Sequence, residues 1–261
     1  CLQIYPLTKS ASKFFPTGFE VAKGEFALSD NNYFAGKQAK ENKVWEKKEE
    51  GEKITITTKG ITYEFQKNGR ALTSFNASIG WLFGKHPKIN FWRAPTDNDF
   101  GEQAQYNLRI WDAASHHQKT SFKGIEETDS AINFIYEVKP VGIEAAVSLI
   151  YTVNADGSLT ISANYKALAA DLPELVRFGM NMELSDRFSN FSWYGRGPWE
   201  NYADRKEDAF MGIWKGGVAD QAFPYYRPQE AGNKTDVRSL SLTANNGKGI
   251  RVTGAQPLSV S

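Results

Sequence analysis

The chain has 261 residues, with 31 basic against 30 acidic side chains and a net charge of +1, so it carries no electrostatic footprint for nucleic acid or an anionic membrane surface. Its single cysteine, Cys1, excludes an internal disulfide and any cysteine-based metal site, and no apolar run approaches the roughly 18 residues of a membrane-spanning helix. Hydrophobic residues make up 41%, enough for a core in one large or two smaller domains, and the 13% aromatic share suits strands and carbohydrate-facing surfaces alike.

Residues 1–28 read as a small strand unit. Leu2-Gln-Ile-Tyr-Pro-Leu7 alternates, as do Phe19 with Val21 and Phe26 with Leu28, giving each piece one buried face. Two or three strands do not make a stable sheet alone. They are therefore expected to be the tail of a preceding β domain, with Cys1 at the cut edge of a longer chain. Residues 29–51 turn polar and charged, ending Glu46-Lys-Lys-Glu-Glu-Gly51, and read as a solvated link with Val44 and Trp45 opening the next domain.

Strand signals then follow closely. Residues 53–58 alternate, a Lys59-Gly60 turn leads to 61–65, and Asn68-Gly69 predicts a hairpin into 71–75. Residues 81–99 are less regular. The spacing of Leu108, Trp111 and Ala114 predicts one helix over 107–117. Further strands are predicted at 131–138, 144–153, 158–166, 176–184, 237–244 and 250–254, with Asp156-Gly157 and Asn246-Gly247 as hairpin turns. Short strand spacing without βαβ alternation makes the class all-β, a sandwich or barrel.

The richest stretch chemically is 194–236. It holds Tyr194-Gly-Arg-Gly-Pro-Trp-Glu-Asn-Tyr-Ala-Asp-Arg205 and Tyr225-Tyr-Arg-Pro-Gln-Glu-Ala-Gly-Asn-Lys-Thr-Asp236. Flat rings beside forked polar groups (Arg196, Glu200, Asn201, Asp204, Arg205, Gln229, Glu230, Asn233) suit a polyhydroxylated ring, with aromatic faces on C–H and polar groups on hydroxyls. Composition alone favours a plainer reading, in which polar loops close an all-β core and arginines pair with carboxylates. Gly195, Gly197 and Pro198 read as turn formers.

Other candidates are thinner. Asp97 and Asp99 flank Asn98 but lack the further oxygen ligands of a calcium loop. A retaining glycosidase draws its two carboxylates from separate elements, so this pair is not a catalytic one. The expected role is structural, with Arg93 and the Asp side chains bonding the loop's own backbone. His86, His116 and His117 show no ligand spacing, and only His116 or His117 with Glu230 offers an acid–base combination. Nucleophile-elbow, P-loop and dinucleotide fingerprints are missing from the sequence.

Four segments, in order, carry a resemblance. They are Asn90-Phe-Trp-Arg-Ala-Pro-Thr-Asp-Asn-Asp-Phe-Gly101, Leu172-Pro-Glu-Leu-Val-Arg-Phe-Gly-Met180, Gly195-Arg-Gly-Pro-Trp-Glu-Asn-Tyr-Ala-Asp-Arg205 and Tyr226-Arg-Pro-Gln-Glu-Ala-Gly-Asn233. They resemble the C-terminal small-chain domain of family 2 glycoside hydrolases, the large multidomain β-galactosidases. The resemblance implies a β-supersandwich, similar to aldose mutarotases, over residues 52–261 and truncated at its C-terminal end. Residues 1–28 resemble the last strands of an immunoglobulin-like domain, which makes 29–51 the link. It further implies a soluble, oligomeric, retaining parent that hydrolyses terminal β-galactosides such as lactose, in the cytoplasm or periplasm. Its two catalytic glutamates, with Mg²⁺ and Na⁺, would lie on domains outside this sequence. This stretch would then hold no catalytic residue and no cofactor, and its partners would be the remaining domains. The family's mobile loop maps onto 101–110, starting Gly101, Glu102 and Gln103. The family's substrate-contacting tryptophan lies beyond the last residue here. Candidate rim residues are Arg93, Asp97, Asn98, Asp99, Glu200, Asn201, Arg205, Gln229, Glu230 and Asn233. A stand-alone carbohydrate-binding module and a mutarotase-like isomerase are the alternatives.

Overall fold

The computed structural model describes residues 1–28, 33–35, 45–77, 80–81 and 83–261. The chain forms two compact units, one of residues 38–186 and one combining 1–37 with 187–261. The fold is all-β and sandwich-like, as its residue pattern predicts. Val44 and most of the predicted link lie outside the described residues.

The chain opens with β1 (Leu2–Ile4) and β2 (Gly24–Phe26), which pair antiparallel. A five-stranded antiparallel sheet follows, made of β3 (Trp45–Glu50), β4 (Lys53–Thr58), β5 (Ile61–Gln66), β6 (Ala71–Ala77) and β7 (Gly80–Trp81) in sequential order. The charged run read as part of the link thus becomes the edge strand β3 from Trp45 to Glu50, and its charged side chains stay exposed. Between β4 and β5, Lys59 and Gly60 both take positive φ, 49° and 76°, as a two-residue turn matched to strand twist requires.

After β8 (Phe83–Asn90) the backbone makes three short helices, α1 (Asp97–Gly101), α2 (Ala104–Asn107) and α3 (Ile110–His116). The single predicted helix is therefore split. Leu108 caps α2, and only Trp111 and Ala114 of the apolar stripe lie on α3, both buried, with Trp111 against Phe91 at 5.7 Å. A four-stranded sheet of β9 (Gln118–Glu127), β10 (Ala131–Pro140), β11 (Ala145–Asn154) and β12 (Leu159–Ala167) follows, and β13 (Gly179–Leu184) pairs with β8.

Inward residues of these sheets make one core. Ile54, Ile56, Tyr63, Phe65 and Leu72 meet Ile132, Phe134, Tyr136, Val147 and Tyr151, all at most 1% exposed. Phe65 stacks on Phe134 with ring centroids 3.8 Å apart. Burying each such side chain contributes about 1.5–3 kcal/mol. The tyrosines keep their hydroxyls satisfied where they can: Tyr63 donates to Gly157 O at 2.7 Å and Tyr136 to Gln66 O at 3.1 Å.

The other unit is built on β14 (Asn190–Gly197), β15 (Phe210–Gly217), β16 (Lys234–Thr243) and β17 (Gly249–Val260), in the order β15-β14-β16-β17. One face is apolar: Phe191, Trp193, Val237 and Leu240 are buried there, with Trp214, Leu242 and Val252 packed against them. The N-terminal strands attach to β15, because Glu25 accepts a hydrogen bond from Met211 N at 2.9 Å and Gln3 Nε2 donates to Met211 O at 3.2 Å.

Here the sequence reading needs correction. Gly195 and Gly197 are not turn formers; both lie within the interior strand β14. Their missing side chains make room for neighbours. A Cβ on Gly195 would sit 2.9 Å from Val237 Cα, and one on Gly197 would sit 2.7 Å from the Trp214 ring. β8, β9, β14 and β15 also went unpredicted.

Replacing Gly195 by Ala pushes a methyl group into backbone that cannot swing away, and is expected to destabilise the unit by about 1–3 kcal/mol. Gly179, whose Cβ would meet nothing within 4 Å, is the control. Gly179→Ala should stay within about 0.5 kcal/mol of the parent in urea denaturation.

Candidate functional site

The predicted site residues fall into two clusters, one in each unit. In the first, the chain leaving β8 must turn at once into α1, whose first amides need acceptors. Thr96 is the N-cap and forms a capping box with Asp99: Asp99 N donates to Thr96 Oγ1 at 3.4 Å, and Asp99 Oδ2 accepts from Thr96 N at 2.6 Å. Arg93 grips the same carboxylate with both terminal nitrogens, Nη2 at 3.1 Å from Oδ1. Burial pushes the Asp99 carboxyl up, but Arg93 and the Thr96 amide and hydroxyl outweigh it and hold it below the usual range.

Asp97 and Asn98 are exposed on the first turn of α1. Gly101 closes that helix and Glu102 caps it. The unusual backbone of the loop sits at Gln103, with φ 57° in the left-handed region. A cavity of about 10 Å³ between Arg93, Asp99, Gln105 and Leu108 has room for a water molecule and no sugar.

The second cluster joins the segment after β14 to the start of β16. Glu200 Oε1 accepts from Arg205 Nη2 at 2.8 Å and from the Tyr225 hydroxyl, while Oε2 accepts from Gly232 N at 2.9 Å. Burial pushes its carboxyl up, and the Gly232 amide, Tyr225 and Arg205 together bring it below the ordinary value. Beneath it, Asn201 is fully buried. Asn201 N donates to Asn233 O at 2.8 Å, and Asn233 Nδ2 donates to Asn201 O at 2.7 Å. Asn201 Oδ1 accepts from Thr235 N at 2.8 Å and Thr235 Oγ1 at 2.6 Å, and its Nδ2 donates to Trp199 O at 2.9 Å. Every polar atom of that side chain is thus engaged on backbone or a neighbouring hydroxyl.

Two residues that sequence reasoning passed over complete this cluster. Lys234 is buried, donating Nζ to Gly232 O at 2.9 Å below the Trp193 ring, and burial pushes its ammonium down against the pull of Glu200. Asp236 takes Arg196 Nε at 2.6 Å and Lys206 Nζ at 3.5 Å; burial raises its carboxyl, and these cations bring it below the ordinary range. The signal for both was their place in the Gly-Asn-Lys-Thr-Asp run that opens β16. Tyr202 is pushed up to about 12 by burial and then by Glu200 and Glu230. Gln229 and Glu230 are half-buried in the same loop, whereas Trp199 and Tyr226 project outward.

His116 Nδ1 lies 2.9 Å from Asp112 O and belongs to the 38–186 unit, whereas Glu230 belongs to the other. Among the described residues no three His, Cys, Asp or Glu side chains converge as metal ligands.

Two substitutions read out this second cluster. Asn201→Ala strands the buried Thr235 amide and hydroxyl, and should cost about 3 kcal/mol in denaturant unfolding. Because the folded Glu200 carboxyl is depressed, its stabilisation is complete above the unfolded value of about 4.3 and is lost as pH falls through the folded value. Thermal melts should therefore show the native chain losing more stability than Glu200→Gln as pH drops below 4.3.

The chain is similar in sequence to a known family and to curated proteins. The family described as "Beta galactosidase small chain" matches residues 57–261. A β-galactosidase of Priestia megaterium is 32% identical over 237 residues, covering 91% of this chain and 23% of the relative. One of Halalkalibacterium halodurans is 34% identical over 206 residues, covering 78% of this chain and 20% of the relative. One of Streptococcus thermophilus is 27% identical over 256 residues, covering 96% and 24%. The chain thus spans a fifth to a quarter of the curated relatives it matches, and it belongs to the β-galactosidase small-chain family.

Proposed function

We propose that this chain is the C-terminal, non-catalytic part of a retaining β-galactosidase of glycoside hydrolase family 2, and that it shapes the active-site rim and braces the multidomain assembly. In this reading residues 52–261 are the supersandwich and residues 1–28 end an immunoglobulin-like domain. The carrying observation is the family match over residues 57–261 in a chain that spans only 20–24% of its first relatives.

The chemistry of the clusters supports it. Retaining hydrolysis needs one carboxyl kept protonated as an acid, facing a second carboxylate roughly 5 Å away across the sugar. Asp99, Glu200 and Asp236 are instead all held below their ordinary range and are engaged by arginines and backbone amides. Such carboxylates set the shape of loops and do not donate protons. The same bonds leave Trp199 and Tyr226 pointing outward from a fixed backbone, which is what a rim requires.

Purified chain with an intact mass near 29.2 kDa should not hydrolyse nitrophenyl β-galactoside. Deleting residues 52–261 from the full-length parent should abolish its turnover, and supplying the chain in trans should restore part of it. Turnover that stays with the 29.2 kDa species, or a deleted parent that remains fully active, would sink the reading.

A further inference from the structure

The polar face of the β15-β14-β16-β17 sheet carries a groove of about 350 Å³, the size class of a small-ligand site. Register fixes what lines it. Ser192 stands opposite Ser241, and Ser241 stands opposite Arg251; one step along, Tyr194 stands opposite Ser239. Side chains that face each other across neighbouring strands lie about 5 Å apart on the same side, so three hydroxyls and a guanidinium share one surface.

Tyr33 closes the groove, its ring edge-on to Tyr194 with centroids 5.4 Å apart. Ser192 and Ser241 have no side-chain hydrogen-bond partner among the described residues, while Ser239 Oγ meets Arg251 Nη2 only at 3.4 Å. The charge is one-sided. Arg251 lines the groove, Arg238 lies over the Tyr194 ring at 5.5 Å, and Lys215 stands opposite Ser192. Among the described residues the lining contains no carboxylate.

We propose that this groove binds an acidic monosaccharide unit of the uronic-acid type. The sugar's C–H face lies against Tyr33, its hydroxyls bond the three serines, and its carboxylate takes Arg251. Aromatic faces and small hydroxyls alone would serve any sugar; the guanidinium, with no carboxylate opposing it among the described residues, selects the charged one. The groove shares no lining residue with the Glu200 and Asn201 network and does not depend on the parent's catalytic identity.

The test is calorimetric titration of the 261-residue chain with D-galacturonate, D-galactose and acetate. One charge-assisted bond to the exposed Arg251 implies a preference for galacturonate over galactose of about fivefold. Acetate should not compete at matched concentration. Arg251→Gln should bring the two sugars to within about twofold, and Ser241→Val should weaken both, with unchanged thermal melts confirming the fold. Equal affinity for the two sugars, a preference that survives Arg251→Gln, competition by acetate alone, or no saturable binding would each overturn the proposal.

Discussion

The unit built on β14 to β17 depends on one exchange of hydrogen bonds, between Asn201 and Asn233. Each residue gives the other a bond through main chain or side-chain amide, and both are buried, so water cannot stand in for either partner. The exchange fixes where the segment leaving β14 meets the segment entering β16. Everything above it inherits that placement: Glu200 reaches the Gly232 amide, Lys234 turns under Trp193, and Asp236 faces Arg196. A set of residues that reads as ligand-binding by type is, in the folded chain, mostly the fastening of two backbone segments. Its functional product is the orientation of side chains that are left over, such as Trp199 and Tyr226.

The other unit solves a similar problem with different means. Its sheets are joined by aromatic rings, Phe65 stacked on Phe134 and tilted against Tyr151, and a polar fastening holds the end of β8. There Arg93 and Thr96 saturate Asp99, so the short helix α1 begins at a fixed point although none of its residues is buried. A helix of five residues has no stability of its own; cap and ion pair substitute for a packed face.

Much of this was legible in the residues. The strands β4, β5, β10 and β11 alternate cleanly because one face is buried and the other is not, and Lys59-Gly60 and Asp156-Gly157 announce their turns by type. The Asp99 role could also be anticipated, because a capping box is a local motif. What escaped was set by partners far away in sequence. Gly195 and Gly197 look like turn residues until Val237 and Trp214 are brought against them. The helix predicted over 107–117 was split because Leu108 packs on the core from between two short helices. Among the candidate site residues, sequence supplied the membership of the Glu200 and Asn201 cluster, but the wiring rests on Tyr225, Gly232 and Thr235, whose backbone or hydroxyl groups have no sequence signature.

The strand β17 runs along the outside of its sheet and contains Pro257. Proline has no amide hydrogen, so the row of donors along that border is interrupted, and the register with β16 already shifts nearby, between Lys234 and Ser239. A foreign extended peptide laid against this border would find its hydrogen-bond ladder interrupted at Pro257. The proline thus blunts the C-terminal third of this long margin strand as a template for a foreign chain.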